Sequence, residues 1–116
     1  MSDQQSTPAG GQPQGQNVEI DDHPEAERYE IRVDGVLAGF AEYQRGPGQI
    51  AFTHTEIGDA FGGRGLAGQL ARKSLDDARA SGLTVLPFCP FYRGWIQKHP
   101  DYADLVPENR RAEFDL

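Results

Sequence analysis

The sequence predicts an α+β domain with layered α/β-type packing: an antiparallel meander of three strands, then a helix, a splayed proline-interrupted strand and a short C-terminal helix. Three observations predict it. Apolar and polar residues alternate between Arg28 and Ile57, broken by turn signals at Asp34-Gly35 and at Arg45 to Gln49. From Leu66 to Ser81 the apolar spacing changes to three and four. Pro87 and Pro90 then punctuate the last apolar run.

Residues 1–17 contain repeated Gln, Gly, Pro and Ser with almost no apolar side chains, a composition that cannot offset the entropy of ordering, so a disordered tail is expected. Glu19, Asp21, Asp22, Glu25, Glu27 and Glu30 follow against the single base Arg28, which reads as a solvated face. The domain is expected over residues 18–106, with a charged tail over 107–116.

Tyr29, Ile31 and Val33 alternate with charged residues in the first expected strand, and Asp34-Gly35 supplies a hairpin turn. The second strand runs from Val36 to Gln44. The third, Ile50 to Ile57, places Ile50, Phe52, His54 and Glu56 on one face and Ala51, Thr53, Thr55 and Ile57 on the other. Leu66, Ala67, Leu70, Ala71, Leu75 and Ala78 form the apolar stripe of the helix, which Gly82 ends. Leu83 to Pro90 fits a buried strand whose prolines prevent full pairing beyond about Leu86, so that it splays and leaves a cleft. Phe91 to His99 fits a short helix halted by Pro100.

The stretch Phe61-Gly62-Gly63-Arg64-Gly65-Leu66-Ala67 enters the helix directly. Unpaired amides in a first helical turn, with the macrodipole's roughly half positive charge, attract an anion. Glycines let a phosphate approach the backbone closely. Arg64 adds a formal charge, so a phosphate or pyrophosphate ligand is expected. The bland alternative is a flexible loop before an ordinary helix.

Lys and Arg total 11 against 18 Asp and Glu, a formal charge of −7, which argues against a nucleic-acid or anionic-membrane surface. An anionic ligand must therefore be held by a local site. The single cysteine, Cys89, excludes an internal disulfide framework and argues against a thiolate-rich metal site, which suits a reducing, cytoplasmic setting. No run approaches the roughly 20 apolar residues of a membrane span, and the N-terminus lacks the basic start and apolar stretch of an export signal.

His54 and Glu56, two apart on the third strand, suit a general base or the positioning of an amine, against the alternative of an outward polar pair. Cys89 has three readings: a nucleophile, a proton donor to a thiolate, or a buried structural thiol. Tyr92 is an acid or, more simply, a core residue. His99 reads as a helix-end residue.

The Gly62-Gly63-Arg64-Gly65-Leu66-Ala67 turn resembles motif A of the GNAT superfamily of acyl-CoA-dependent N-acetyltransferases, written Gln/Arg-x-x-Gly-x-Gly/Ala. Gly65 and Ala67 match, while Gly62 stands where Gln or Arg is expected, removing one charged contact. With His54-Thr55-Glu56, Val85 to Phe91, Trp95 to Pro100 and Tyr102 to Val106, the stretch from Arg28 to Val106 resembles the minimal single-domain subgroup of that superfamily.

The resemblance implies that acetyl-CoA is the cosubstrate, with no metal. It implies that the pyrophosphate binds at Phe61 to Ala67 and that the pantetheine arm lies along Thr84 to Phe88, with Val85, Leu86 and Pro87 as contacts. Glu56 would take the ammonium proton, directly or through water, with His54 as the alternative; Cys89 would lie near the acetyl carbonyl. The function expected is acetyl transfer to an amine. The alternative is an acyl-CoA-binding or regulatory module without turnover. In larger members helices between the first two strands wall the acceptor site, and Asp34-Gly35 leaves no room for them. An open face suits a large or extended amine, small molecule or protein, or a homodimer that completes the pocket. A nucleotide-binding P-loop is disfavoured because no Lys-Ser/Thr follows the glycines.

Overall fold

In the computed structural model, which describes residues 17–116, strands β1 (Val18–His23), β2 (Arg28–Val33), β3 (Val36–Gly46) and β4 (Gln49–Ile57) lead into helix α1 (Leu66–Ala80), strand β5 (Thr84–Pro87) and helix α2 (Pro90–Lys98). The sheet runs in the order β1-β2-β3-β4-β5, antiparallel except for the parallel pair β4–β5. The expected tail lies outside the described residues except for Asn17, whose amide donates to Asp34 Oδ1 at 2.8 Å.

The three-strand meander is present, and the acidic stretch before it forms a further strand; its acids Glu19, Asp21 and Asp22 are exposed, as expected of a solvated face, whereas Glu30 on β2 is buried. Val18 and Ile20 alternate with Glu19 and Asp21, and Ile20 lies opposite Ile31. Two apolar residues suffice because β2 already supplies the paired edge, while the acids keep the new edge hydrated and unattractive to further strands. Between β2 and β3, Asp34 (φ 52°) and Gly35 (φ 82°) are both left-handed, as the tightest hairpin turn requires.

A bulge changes the facing of β4. Tyr43 lies opposite Phe52 and Glu42 opposite His54, so Thr53 has no partner on β3. Before it, Ile50 and Phe52 point toward the helices; after it, Thr55 and Ile57 do, and His54 and Glu56 turn to the other face. The single face expected for Ile50, Phe52, His54 and Glu56 is therefore split, because an inserted residue shifts the two-residue period by one.

Both helices cover the same side of the sheet. α1 buries Leu66, Leu70, Ala71, Ser74, Leu75 and Ala78, and Tyr92 of α2 stacks on Phe52 with ring centroids 4.2 Å apart. The Tyr92 hydroxyl and Ser74 Oγ are 2.7 Å apart, which ties the two helices together within the core. At the end of α1, Gly82 is left-handed (φ 70°), and Leu83 N–H donates to the Ala78 carbonyl at 2.9 Å. This caps the helix and aims the chain into β5.

The C-terminal segment also departs from expectation. Instead of a charged tail, 108–114 forms a 3-10 turn that buries Phe114 against the edge of Phe88, with centroids 5.3 Å apart. One aromatic ring among charges is enough to dock the segment, because the Arg93 and Arg110 guanidiniums lie over its face while Arg93 donates to the Phe88 carbonyl at 3.2 Å and Arg110 pairs with Glu113 at 2.9 Å.

Candidate functional site

The chain leaves β4 at Ile57, makes a short 3-10 turn over Asp59–Phe61, and enters α1 through Gly62 to Gly65. Gly63 (φ 77°) and Gly65 (φ 71°) are left-handed, and a Cβ at either would meet nothing within 4 Å. Glycine is required here by the backbone conformation, and the space beside it is open. That space is a cavity of about 190 Å³ bounded by Phe61 to Gly68, with Ile57 and Phe91 as its apolar walls. Among the described residues, the amides of Gly63 to Gly68 have no main-chain carbonyl partner. The Arg64 guanidinium lies 5.4 Å from the Phe61 ring centroid, on the same loop. All of Phe61, Gly62, Gly63, Arg64, Gly65, Leu66 and Ala67 thus line one cavity, and its donors suit a phosphate-bearing group.

The sheet splits beside this loop. β4 and β5 pair from Gln49–Thr84 to Phe52–Pro87, and Cys89 N–H adds one bond to the Phe52 carbonyl at 2.8 Å. Beyond that, β4 continues to Ile57 with no strand of the described residues on that side. The Thr53 bulge decides which groups face the opening. Gly58 N–H donates to Ala38 on β3; by alternation, Glu56 and His54 direct their main-chain groups to β3, and Thr55 and Ile57 direct theirs into the split. Val85, Leu86 and Pro87 are buried and paired to Ile50, Ala51 and Phe52. The free strand edge in the cleft therefore belongs to β4, not to β5 as the proline argument suggested, because β4 outlasts its partner.

At the apex of the split, buried Cys89 precedes α2 and its Sγ lies 3.3 Å from Thr55 Oγ1. His54 Nε2 and Glu56 Oε1 are 3.0 Å apart on the opposite face of β4, where both are exposed. The structure thus brings His54 to Glu56, and Cys89 to Thr55, but sets the two pairs on opposite sides of one strand. Tyr92 is a core residue: it is fully buried, and desolvation raises its hydroxyl pKa well above the ordinary tyrosine value. His99 ends α2, its Nδ1 2.7 Å from the Trp95 carbonyl and its ring stacked on Trp95.

Thr55 and the Ile57 main chain were not singled out by sequence reasoning. Strict alternation assigns Thr55 to the same face as Thr53, away from the expected pair, and nothing in a Thr-rich strand marks where a bulge falls. Phe91, an exposed aromatic at the start of α2, carries no signal in the sequence beyond its place in the helix.

A model of the family described as GCN5-related N-acetyl-transferase matches residues 28–105. No curated protein sequence matches the chain. Among solved structures, the NMR solution structure of a GCN5-like protein from Staphylococcus aureus is similar, with a TM-score of 0.62 and 22% identity over 78% of this chain and 89% of that one. At that identity the likeness speaks for the fold alone, and the fold agrees with the matched family. The chain belongs to the GCN5-related N-acetyltransferase family.

Proposed function

We propose that the protein transfers an acetyl group from acetyl-CoA to an amine. The observation that carries this is the continuity of the glycine-loop cavity with the open edge of β4: a pyrophosphate and an amide-bearing arm would find their partners in that order. The amides of Gly63 to Gly68 and Arg64 hold the phosphates. The Thr55 and Ile57 main-chain groups pair with the arm as an added strand would, and Ile57 and Phe91 cover its apolar carbons.

The thioester then lies at the apex, between the Cys89–Thr55 pair and the His54–Glu56 pair. The donor supplies an activated acyl group, so the protein contributes position and proton transfer. A neutral amine forms the C–N bond as the C–S bond breaks; the amine loses a proton and the departing sulfur gains one. Glu56, supported by His54 at 3.0 Å, receives the ammonium proton from the solvent-facing side. Cys89, whose Sγ lies 3.3 Å from Thr55 Oγ1 on the inner side, gives a proton to the sulfur. Among the described residues, no second strand pair or inserted helix walls the outer face of β3 and β4, which favours an acceptor that is itself large or extended.

The test is acetyl transfer across a panel of amines, from polyamines to lysine peptides, by wild type, Glu56→Gln and Cys89→Ala. Expected is turnover by wild type and a fall in kcat of about 100-fold or more in Glu56→Gln, as for loss of a general base, with acetyl-CoA affinity retained. Acetyl-CoA binding with no turnover on any amine would instead favour a binding module.

A further inference from the structure

The Phe88–Cys89 corner is fastened to the C-terminal segment through one side chain. Arg93, in the first turn of α2, holds the carbonyls on both sides of Cys89: its main-chain N–H donates to the Cys89 carbonyl at 3.0 Å and its Nη2 to the Phe88 carbonyl at 3.2 Å. The Cys89 N–H donates in turn to the Phe52 carbonyl at 2.8 Å. These bonds fix the main chain of the residue whose Sγ stands 3.3 Å from Thr55 Oγ1. The bonds to the Cys89 carbonyl and to Phe52 come with the helix and the sheet. The bond to Phe88 depends on where the Arg93 side chain lies.

That placement needs a cover. Among the described residues, no carboxylate is within salt-bridge distance of Arg93, and its Nε is buried without a hydrogen-bond partner. A buried donor left unmade on a charged group costs free energy that water would restore, so the guanidinium stays on Phe88 only while it is kept from solvent. Phe114 lies over it, with the ring centroid 5.8 Å from the guanidinium carbon, and meets Phe88 edge-on. The segment that carries Phe114 has its own fastenings: Arg111 Nε donates to the Val106 carbonyl at 3.0 Å, and Leu116 N–H to the Arg111 carbonyl at 2.8 Å. It lies beyond the residues that match the family, so the match does not account for this contact.

Resting on the acetyl-transfer reading above, we infer that Arg93 and Phe114 are positioning residues for Cys89: Phe114 keeps the Arg93 guanidinium on the Phe88 carbonyl, and this holds the Cys89 thiol at Thr55, where it protonates the departing sulfur. The C-terminal segment thus acts on the transfer step through Cys89 rather than through contact with either substrate. A reacting group displaced by about 1 Å loses on the order of 100-fold in rate.

The experiment measures kcat, the KM for acetyl-CoA, Tm and the rate of Cys89 alkylation by iodoacetamide in wild type, Phe114→Ala, Phe114→Leu, Arg93→Met and the Phe114→Ala/Arg93→Met double variant. Arg93→Met keeps the packing on Phe114 and removes the donor, so it tests the inference even where a Phe114 variant fails to fold. Expected in Phe114→Ala and Arg93→Met is a kcat lower by about 10- to 100-fold at unchanged KM, with alkylation faster by about tenfold because the corner opens locally. Phe114→Leu, which keeps an apolar cover, should recover most of the rate. The double variant should be no slower than the slower single, since both act through one bond. A fall in Tm alone, with kcat and alkylation as in wild type, or additive losses in the double variant, would overturn the inference and leave acetyl transfer standing. Wild type without turnover on any amine would overturn the transfer reading and Cys89's part in it, and the alkylation rates would then decide by themselves whether Phe114 and Arg93 hold the thiol.

Discussion

Gly39 decides how closely β3 and β4 approach beside the cleft. A Cβ there would fall 2.3 Å from the Glu56 carbonyl oxygen and 2.6 Å from Ile57 Cδ1, distances that force one strand to move. Gly39→Ala should therefore destabilise the fold by about 1–3 kcal/mol, the usual range for overpacking, and weaken CoA binding because the displaced residues carry the cleft. A urea midpoint equal to wild type would contradict this. Tyr92 makes the opposite case. Among the described residues its hydroxyl bonds to Ser74, itself bonded to the Leu70 and Ala71 carbonyls, so Tyr92→Phe should cost about 1 kcal/mol and leave kcat unchanged. A large fall in kcat with little loss of stability would restore Tyr92 as an acid. At this scale the glycine loop was legible because left-handed backbone demands glycine, a preference written in residue type. Thr55 was not, since its facing depends on one unpaired residue upstream.

Among elements, β1 shows how charge can conceal a strand. Its outer acids and those of the following turn dominate the composition, but pairing to β2 needs only Val18 and Ile20 in register. β2 in turn carries Glu30 nearly buried among Arg28, Arg32 and His23, with Arg28 Nη2 2.7 Å and Arg32 Nη2 2.6 Å from its oxygens. The Arg28 hydrogen bond holds the Glu30 carboxyl below the ordinary carboxylate range. A depressed carboxylate contributes stability that is present above its unfolded pKa, about 4.3, and lost as pH falls through the folded value. Between pH 7 and pH 3, Glu30→Gln should accordingly show a shallower fall in Tm than wild type. Parallel Tm curves for the two proteins would refute that role. The C-terminal turn was illegible for a related reason: a lone Phe114 among charges has no periodicity, and only the groove beside Phe88 gives it a place.

For the molecule as a whole, order along the chain carried the fold further than any one motif. Hairpin, hairpin, glycine turn, helix, interrupted strand and helix give the split sheet once β5 is parallel to β4 and shorter than it. Which strand lines the split depends on relative lengths, and lengths are set by pairing rather than by residue type. The net charge of −7 makes an anionic ligand dependent on local donors, and those cluster at the loop. The most direct measurement is therefore titration of acetyl-CoA into wild type and Arg64→Ala by calorimetry at moderate salt. Saturable one-to-one binding by wild type, weakened about tenfold or more in the folded variant as for loss of a charged hydrogen bond, is the predicted result. No heat of binding to wild type, or equal affinity in Arg64→Ala, would contradict an acyl-donor site built on this loop.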